Sequence, residues 1–284
     1  MKKILSAFCL LIILTASSKA QFMRRPKADP IGLSDSMKVA PFIAAYQPKL
    51  YIDSVGTLPY RLLLPKDYDS TKKYPIIIFL HGSGERGSEN YRQLINGGSL
   101  FATDSIQQKY PAIVVFPQCP QNSFWSNVKI SEDATTHLPT FTFQADGEPT
   151  VAMTMLIGLT RQLSQQFSVK NDQVYVMGLS MGGMGTFELV HRMPATFAGA
   201  VSFCGGADTT IGHSISKTSW WIFHGAKDDV VAPAFSEAMV YELNKYYNSE
   251  VQYTVYAGSK HDCWVPGLKE PELLPWLFQQ RLRK

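Results

Sequence analysis

The sequence has few cysteines, a modest share of charged residues and no apolar run of membrane-spanning length. Its 284 residues include four cysteines, and 18% of the residues are charged. The apolar run at residues 4–14 is much shorter than the roughly 20 residues that a transmembrane helix needs. No group of cysteines and histidines has the spacing of metal ligands. We therefore expect no stable membrane anchor, no metal and no other cofactor.

The N-terminus has the features of a secretory signal peptide. Two lysines precede the apolar run at residues 4–14, and a small-x-small sequence ends at Ala20. A basic segment, a short apolar core and such a cleavage site are typical of these signals. Residues 1–20 are therefore predicted to be removed on export to the periplasm or the medium, which leaves a mature chain that starts at Gln21. Cys9 lies inside the apolar run, so no lipoprotein signal is predicted.

The positive net charge belongs mostly to this N-terminal segment. The formal charge of the full sequence is +4, and residues 1–20 hold three lysines and no acidic residue, so their removal leaves +1. No stripe of basic residues interleaved with aromatic residues follows, so we expect no nucleic-acid binding. The remaining 264 residues suit a single α/β domain that forms its core without disulfides.

Strand-like and helix-like segments alternate after residue 50, behind an irregular lead-in predicted at residues 21–49. The segments at 75–80 and 112–117 are apolar on both faces, as expected for strands covered by helices on both sides. Such alternation predicts a mostly parallel sheet whose functional residues gather at the carboxyl ends of the strands. The predicted strands are 60–64, 75–80, 112–117, 173–177, 199–203, 219–224 and 251–256. The predicted helices are near 149–167, 183–193, 233–247 and 270–281.

The segment GLSMG at residues 178–182 has the G-x-S-x-G pattern of a nucleophile elbow. An apolar strand-like run precedes it and a helix-compatible segment follows it. In that context a sharp turn exposes the serine oxygen, and only small residues fit two positions before and after the serine. The pattern predicts Ser180 as a nucleophile and the N–H of Met181, at a helix N-terminus, as an oxyanion donor. A purely structural glycine-rich turn is the alternative.

A second glycine-rich turn begins at His81, after the strand predicted at 75–80. Such a turn lets a backbone amide approach the reaction centre, so the N–H of Ser83 is predicted to be the second oxyanion donor. A turn that only connects two elements is the alternative. His81 itself is interpreted as a structural residue that holds the turn. Glu85 and Arg86 are candidates either to line the pocket or to form a mutual salt bridge at its rim.

Acidic residues and a histidine follow the last two predicted strands. Asp228 and Asp229 come after residues 219–224, and His261 comes after residues 251–256. An acid here can orient the histidine and stabilise its charged form, and Ser–Asp–His is the chain order known for such sheets. His261 is predicted to be the base, and the two aspartates compete for the role of the acid. A structural role is the default for the other histidines of the mature chain, which are His81, His137, His191, His213 and His224.

These motifs resemble the α/β-hydrolase superfamily. The resemblance is carried by GLSMGGMG at 178–185, FHGAKDDVV at 223–231 and HDCW at 261–264, with matches at 117–120 and 202–206. Within the superfamily the chain is similar to secreted bacterial esterases related to dienelactone hydrolase and to phospholipase/carboxylesterase proteins, a group often labelled predicted peptidases. The likeness runs from about residue 50 to the C-terminus. It implies an α/β-hydrolase catalytic domain over residues 50–284, with helices on both faces of the sheet.

The resemblance also implies roles for the residues of the site. The His-Gly-x-x-Asp pattern of the family places the acid at Asp228, and its oxyanion loop agrees with Ser83. Ester hydrolysis by acyl transfer then follows, in which Ser180 attacks the carbonyl after His261 takes its proton. The amides of Met181 and Ser83 stabilise the oxyanion. His261 next protonates the leaving alcohol and activates water.

The substrate is expected to be a small-molecule or carbohydrate ester. Residues 119–148 form a long polar and aromatic segment after a strand, of the kind that often serves as a lid or binding loop. Trp125 and Trp264 are candidates for an aromatic platform for a sugar or an aryl acid, with packing at the core edge as the alternative for each. Together with export, this favours acyl or feruloyl esters on polysaccharides. A serine peptidase acting on short peptides and an inactive, ligand-binding hydrolase fold are the alternatives.

Three cysteines, Cys119, Cys204 and Cys263, lie outside the predicted signal peptide. Each follows a strand-like run, so each is expected near the active-site edge of the sheet. The strand order that the resemblance implies places Cys204 and Cys263 on the same side of the nucleophile strand, which makes them the more plausible disulfide pair. Three buried thiols are the alternative, because a domain of this size needs no disulfide.

Overall fold

An eight-stranded sheet forms the centre of the fold, as seen in a computed structural model that describes residues 40–135, 137–247 and 249–283. The predicted signal peptide lies outside these residues. A separate two-stranded hairpin is formed by the fifth and sixth strands. In chain order the strands are β1 (Gln47–Ile52), β2 (Thr57–Leu63), β3 (Tyr74–Leu80), β4 (Ile113–Pro117), β5 (Val128–Glu132), β6 (Pro139–Phe143), β7 (Val169–Leu179), β8 (Gly199–Phe203), β9 (Ser219–Gly225) and β10 (Val251–Tyr256).

Helices connect most of the parallel strands. The described residues also form four short 3₁₀ turns, at Pro41–Ala45, Ser83–Glu85, Arg92–Leu94 and Thr209–Ile211. In chain order the α-helices of the described residues are α1 (Gly98–Phe101), α2 (Asp104–Lys109), α3 (Val151–Gln166), α4 (Met181–Arg192), α5 (Gly212–Ile215), α6 (Ala234–Leu243), α7 (Trp264–Gly267) and α8 (Leu273–Gln279). No helix in this described part of the chain combines the length and the apolar character needed to cross a membrane.

The strand order of the large sheet is β1-β2-β4-β3-β7-β8-β9-β10. The pairs β1–β2 and β2–β4 are antiparallel, and every pair from β4 to β10 along the sheet is parallel. This confirms the predicted mostly parallel sheet and the α/β-hydrolase fold. It also places the carboxyl ends of β3, β7, β8, β9 and β10 along one edge.

Two hydrophobic cores cover the two faces of the sheet. Alternate residues of β3 enter different cores: Ile76 and Ile78 pack in one, and Ile77 and Phe79 pack in the other. The first core includes buried residues of α3, α4 and α6, and the second includes those of α1 and α8. Because successive side chains of a strand point to opposite faces, this explains why β3 is apolar throughout. The prediction of helices on both faces is confirmed.

The predicted irregular lead-in is wrong for its last residues. A 3₁₀ turn occupies Pro41–Ala45, and β1 begins at Gln47 and pairs antiparallel with β2 over six residues. Five of the six residues of β1 are exposed, so the strand shows no alternation of buried and exposed side chains. Pro48 is tolerated because β1 is an edge strand. The segment predicted as a long loop at residues 119–148 likewise contains the β5–β6 hairpin.

Candidate active site

Ser180 occupies a sharp turn between β7 and α4. Its backbone has φ 54° and ψ −117°, a strained conformation for a residue other than glycine. A Cβ atom at Gly178 would lie 2.2 Å from the carbonyl oxygen of Gly182, and one at Gly182 would lie 2.0 Å from that of Leu80. Only glycine fits at both positions, so the G-x-S-x-G spacing is required by the packing of this turn.

Ser180, His261 and Asp228 form a continuous series of hydrogen bonds. Ser180 Oγ lies 2.8 Å from His261 Nε2, and His261 Nδ1 donates to Asp228 Oδ2 at 2.7 Å. The side chain of Asp228 is inaccessible to solvent, and that of His261 is 17% exposed. Asp229 instead points outward, where its carboxylate lies 3.7 Å from Lys260 Nζ. The structure therefore brings Asp228 to the histidine, and not its neighbour.

Asp228 is held as a carboxylate. The N–H groups of Val230 and Val231 both donate to its Oδ1 at 2.9 Å. Burial by itself raises the pKa of Asp228, but hydrogen bonds from His224, His261 and these two amides outweigh burial and hold the pKa well below its usual range. The charge needed to stabilise a protonated His261 is therefore already in place.

His261 is a stronger base than an ordinary histidine. Burial lowers the pKa of His261, but the hydrogen bond to Asp228 and the negative charge of that carboxylate outweigh burial and raise the pKa to about 9. Burial also raises the pKa of Cys204 far above its usual range, so this thiol stays protonated. The indole of Trp264 packs edge-on against the imidazole with a centroid distance of 5.4 Å.

The two predicted oxyanion donors both lie at helix N-termini. Met181 is the first residue of α4, and Ser83 is the first residue of the 3₁₀ turn Ser83–Glu85. The first N–H groups of a helix have no acceptor within the helix and favour an anion. The turn of Ser83 packs on the elbow, since a Cβ at Gly82 would lie 2.9 Å from Leu179 Cδ1. The turn that carries Ser83 therefore packs against the strand end that carries Ser180.

His81 holds the oxyanion turn in place. Its Nδ1 donates to Gly82 O at 2.6 Å, and its Nε2 accepts from the N–H of Cys119 at 2.9 Å. Burial, helped by the charge of Arg86, lowers the pKa of His81 to about 4, so the ring is neutral at physiological pH. Both ring nitrogens bond to main-chain atoms, which agrees with the structural interpretation of this residue.

Trp125 cannot act as the predicted aromatic platform. Its side chain is fully buried, its Nε1 donates to His81 O at 3.2 Å, and its ring packs edge-on against the His81 ring. A Cβ at Gly185 of α4 would lie 2.4 Å from Trp125 Cβ. The expectation is corrected because this contact encloses the indole between the oxyanion turn and α4. Trp264 is partly exposed beside His261 and remains a candidate.

Glu85 and Arg86 have partners other than each other. Glu85 Oε1 accepts from Asn96 Nδ2 at 3.3 Å. Arg86 donates to Ser83 O at 3.0 Å and to Ser123 O at 3.3 Å. Arg86 therefore ties the oxyanion turn to the segment that carries Trp125, in place of the salt bridge considered from the sequence.

The three cysteines are buried free thiols. The Cys204–Cys263 disulfide that the sequence permitted is not formed, and the alternative of three thiols applies. Atoms of Cys204, His224 and Asp228 lie within 4.8 Å of one another, a spacing that a metal ion could use. Both oxygens of Asp228 and both ring nitrogens of His224 already bond to protein groups, however. The polar atoms of Asp228 and His224 are therefore used in hydrogen bonds within the protein, next to His261.

His224 also contacts the triad, although the sequence indicated only a structural role for this residue. Its Nε2 lies 3.3 Å from Asp228 Oδ2, and neither side chain is accessible to solvent. The sequence feature that could have indicated this contact is the spacing of the two residues. His224 lies near the end of β9, and Asp228 follows it by four residues.

A family model and several solved structures match the chain. The model named Esterase, described as "Putative esterase", matches residues 56–256, a span that holds Ser180 and Asp228 and ends before His261. No curated protein matches the chain. A thermostable esterase of known structure is 31% identical, with a TM-score of 0.74 over 84% of this chain and 64% of that one. The chain thus spans about two thirds of the length of that esterase.

Two feruloyl esterases share the fold at lower identity. A ferulic acid esterase from Anaeromyces mucronatus, solved with ferulic acid, is 16% identical with a TM-score of 0.59, over 83% of this chain and 90% of that one. A mutant feruloyl esterase module from Clostridium thermocellum, solved with sinapinate, is 17% identical with a TM-score of 0.57, over 84% and 90%. At this identity the likeness extends to the fold alone.

Proposed function

The chain belongs to the Esterase family, and from this we propose that it is a serine hydrolase that cleaves carboxylic ester bonds through an acyl-enzyme on Ser180. The observation that carries the proposal is the hydrogen-bond series from Ser180 Oγ through His261 to Asp228, at 2.8 and 2.7 Å. A nucleophile, a base and an orienting acid in this geometry are the parts that serine-based acyl transfer requires.

In acylation, Ser180 Oγ attacks the ester carbonyl carbon and its proton passes to His261 Nε2. Asp228 accepts the Nδ1 proton in a hydrogen bond and stabilises the imidazolium that forms. The N–H groups of Ser83 and Met181 supply donors for the oxyanion of the tetrahedral intermediate. His261 then gives its proton to the leaving alcohol oxygen as the carbon–oxygen bond breaks, which leaves an ester of Ser180.

Deacylation reverses the roles with water as the nucleophile. His261 removes a proton from water, and the hydroxide attacks the acyl carbon. The second tetrahedral intermediate uses the same two amides, and its collapse returns the proton from His261 to Ser180 Oγ. The carboxylic acid leaves, and the site is restored without a cofactor.

Aromatic residues near the strand ends support acyl or feruloyl esters on polysaccharides as the substrates. Trp264 packs beside His261. In the β5–β6 hairpin, Phe141 and Phe143 pack edge-on against Phe235 of α6, with centroid distances of 5.7 and 5.9 Å. All of these side chains are partly exposed. A panel of acylated oligosaccharides, feruloyl esters and chromogenic peptides tests this class, and turnover of peptides alone would contradict it.

Export completes the proposal. The basic segment, apolar run and small-x-small site at residues 1–20 support removal of a signal peptide near Ala20. Mass spectrometry of the protein recovered from cell fractions identifies the mature N-terminus, and an intact Met1 in the cytoplasm would contradict export.

Replacement of the nucleophile tests the catalytic proposal. Ser180→Ala should lower the turnover of p-nitrophenyl acetate by about 10⁴-fold or more, because the attacking oxygen is lost. Ser164→Ala is the matched control, since this serine of α3 donates to Thr160 O away from the triad. The control should keep wild-type turnover, and circular dichroism should show both variants folded. Wild-type turnover in Ser180→Ala would overturn the assignment.

A further inference from the structure

Asp228 lies between two imidazole rings. Its Oδ2 is 2.7 Å from His261 Nδ1 on one side and 3.3 Å from His224 Nε2 on the other. His224 Nε2 is also 2.9 Å from Val231 O. The second imidazole is fully buried, so it bonds to the triad acid without contact with solvent.

The surroundings of His224 hold both of its ring nitrogens. Nε2 faces the oxygens of Asp228 and Val231, which both accept, so this nitrogen carries a proton that the two oxygens share. Nδ1 lies 2.7 Å from Ser236 Oγ, and that hydroxyl donates to Gly205 O at 2.9 Å. The ring is therefore fixed from both ends.

We propose that His224 is a positioning residue for catalysis, which holds Asp228 Oδ2 in the place where it accepts from His261. The proposal rests on the ester hydrolase function proposed above. No step of bond making or breaking involves His224 itself.

The two carboxylate oxygens of Asp228 are held by different groups. Oδ1 is fixed by the N–H groups of Val230 and Val231, which lie in the turn that follows Asp228 itself. Oδ2 is approached by His261 at 2.7 Å and by His224 at 3.3 Å. His224, which reaches Oδ2 from the end of β9, therefore adds a second contact to the oxygen that accepts from His261. The contribution of this bond to the low pKa of Asp228 agrees with such a role.

The hydrogen bonds behind His224 lead through Ser236 to Gly205, which packs against α4. Ser236 belongs to the first part of α6, and its acceptor Gly205 follows β8. A Cβ at Gly205 would lie 2.6 Å from the carbonyl carbon of Gly183 in the first turn of α4. Through Ser236 and Gly205, the imidazole of His224 is therefore linked to the helix that begins directly after Ser180.

A pair of amide substitutions separates positioning from packing. The amide nitrogen of glutamine can reach the place of Nε2, whereas that of asparagine, one methylene shorter, reaches the place of Nδ1. His224→Gln should keep kcat within about threefold of wild type, and His224→Asn should lose about 10- to 100-fold, the effect of one hydrogen bond to a buried charged group. KM for p-nitrophenyl acetate should change by less than about threefold in both, because the substrate does not touch His224.

His191→Gln is the matched control. His191 makes a similar 2.7 Å contact with a serine, Ser214, at the far end of α4, so its replacement should leave kcat unchanged. Equal losses of kcat in His224→Gln and His224→Asn, with both folded by thermal unfolding, would overturn the proposal. So would wild-type kcat in His224→Asn.

A further variant covers the case in which His224→Asn does not fold. Ser236→Ala removes the partner of Nδ1 and keeps His224, so kcat should fall about three- to tenfold with KM unchanged, and an unchanged kcat would overturn the proposal. These outcomes are distinct from failure of the ester hydrolase assignment, because only that failure leaves Ser180→Ala active.

Discussion

His81 and His224 are both buried imidazoles at the carboxyl ends of parallel strands, one on each side of the nucleophile strand β7. His81 directly follows β3, and its two ring nitrogens bond to main-chain groups, those of Gly82 and Cys119. His224 lies near the end of β9, and its Nε2 contacts Val231 O at 2.9 Å and the side chain of Asp228 at 3.3 Å. The same residue type in the same kind of position therefore holds two different parts of the site, a backbone turn in one case and an acidic side chain in the other.

The difference follows from what each side of the site must supply. In the reaction proposed above, the β3 side supplies a backbone N–H, and a histidine that binds main-chain groups fixes the turn that carries it. The β9 and β10 side supplies the side chains of Asp228 and His261 in that proposal, and a histidine that contacts a carboxylate positions the acid. We therefore expect side-chain substitutions to affect catalysis strongly on the second side, and on the first side only where the N–H itself is lost.

The largest expected effect is at the acid. Asp228→Asn should lower kcat by about 10⁴-fold, because the amide favours the wrong tautomer of His261 and removes the charge that stabilises the imidazolium. Asp229→Asn should stay within about twofold of wild type, since this carboxylate is exposed and pairs at the surface with Lys260. Steady-state kinetics on p-nitrophenyl acetate measure both.

The adjacent aspartates make this pair its own control. The two residues differ by one position in the chain, and a general effect of losing a negative charge would lower both rates alike. A larger loss in Asp229→Asn than in Asp228→Asn would move the acid to the neighbouring residue and end the comparison between the two sides.

A smaller effect is expected at the oxyanion turn. Ser83→Pro should lower kcat by about 10²- to 10³-fold, because proline removes the N–H that serves as an oxyanion donor. Proline suits the first position of a helical turn, and the extended backbone of Gly82, at φ −76° and ψ 177°, is compatible with a following proline. The loss should appear in kcat for p-nitrophenyl acetate with little change in the circular dichroism spectrum.

Ser83→Ala tells whether the amide or the hydroxyl matters. It keeps the N–H and removes only the side-chain oxygen, so kcat should remain close to wild type. If Ser83→Ala lost as much kcat as Ser83→Pro, the hydroxyl of Ser83 would be needed for catalysis. The β3 side would then also contribute a side chain, which would contradict the difference between the two sides.

The fold and the meeting of Ser180, His261 and Asp228 could be predicted because they leave strong local patterns. The strands β3, β4 and β8 are buried on both faces and read as short apolar runs. The elbow requires glycine at two fixed distances from Ser180, which a sequence shows directly. The strands β1 and β5, by contrast, are exposed along most of their length. Their pairing comes from one neighbouring strand, so no periodic burial reveals them.

The roles of Trp125 and His224 depend on contacts that are remote or hidden in a turn. The burial of Trp125 follows from its contact with Gly185, 60 residues later in the chain. The bond from His224 to Asp228 exists because the intervening residues turn back on β9, with the N–H of Asp228 donating to Gly225 O. The contact of Trp125 has no period or motif of its own, and the His-Gly-x-x-Asp pattern that holds His224 and Asp228 does not by itself show that the two side chains meet.

The smallest of the expected effects is a pH dependence that is caused by His261, on the β9 and β10 side of the site. His261 must be neutral to accept the proton of Ser180, and its pKa is raised to about 9. The value of kcat/KM should therefore increase about tenfold per pH unit from pH 7 to 8 and level off above pH 9. His81, with a pKa lowered to about 4, does not titrate in this range. In Asp228→Asn the increase of the residual activity with pH should occur at lower pH values than in the wild type, because the main hydrogen bond that raises the pKa of His261 is lost. A profile that is flat from pH 6 to 9, or a rise that moves to higher pH in the variant, would place the controlling group elsewhere.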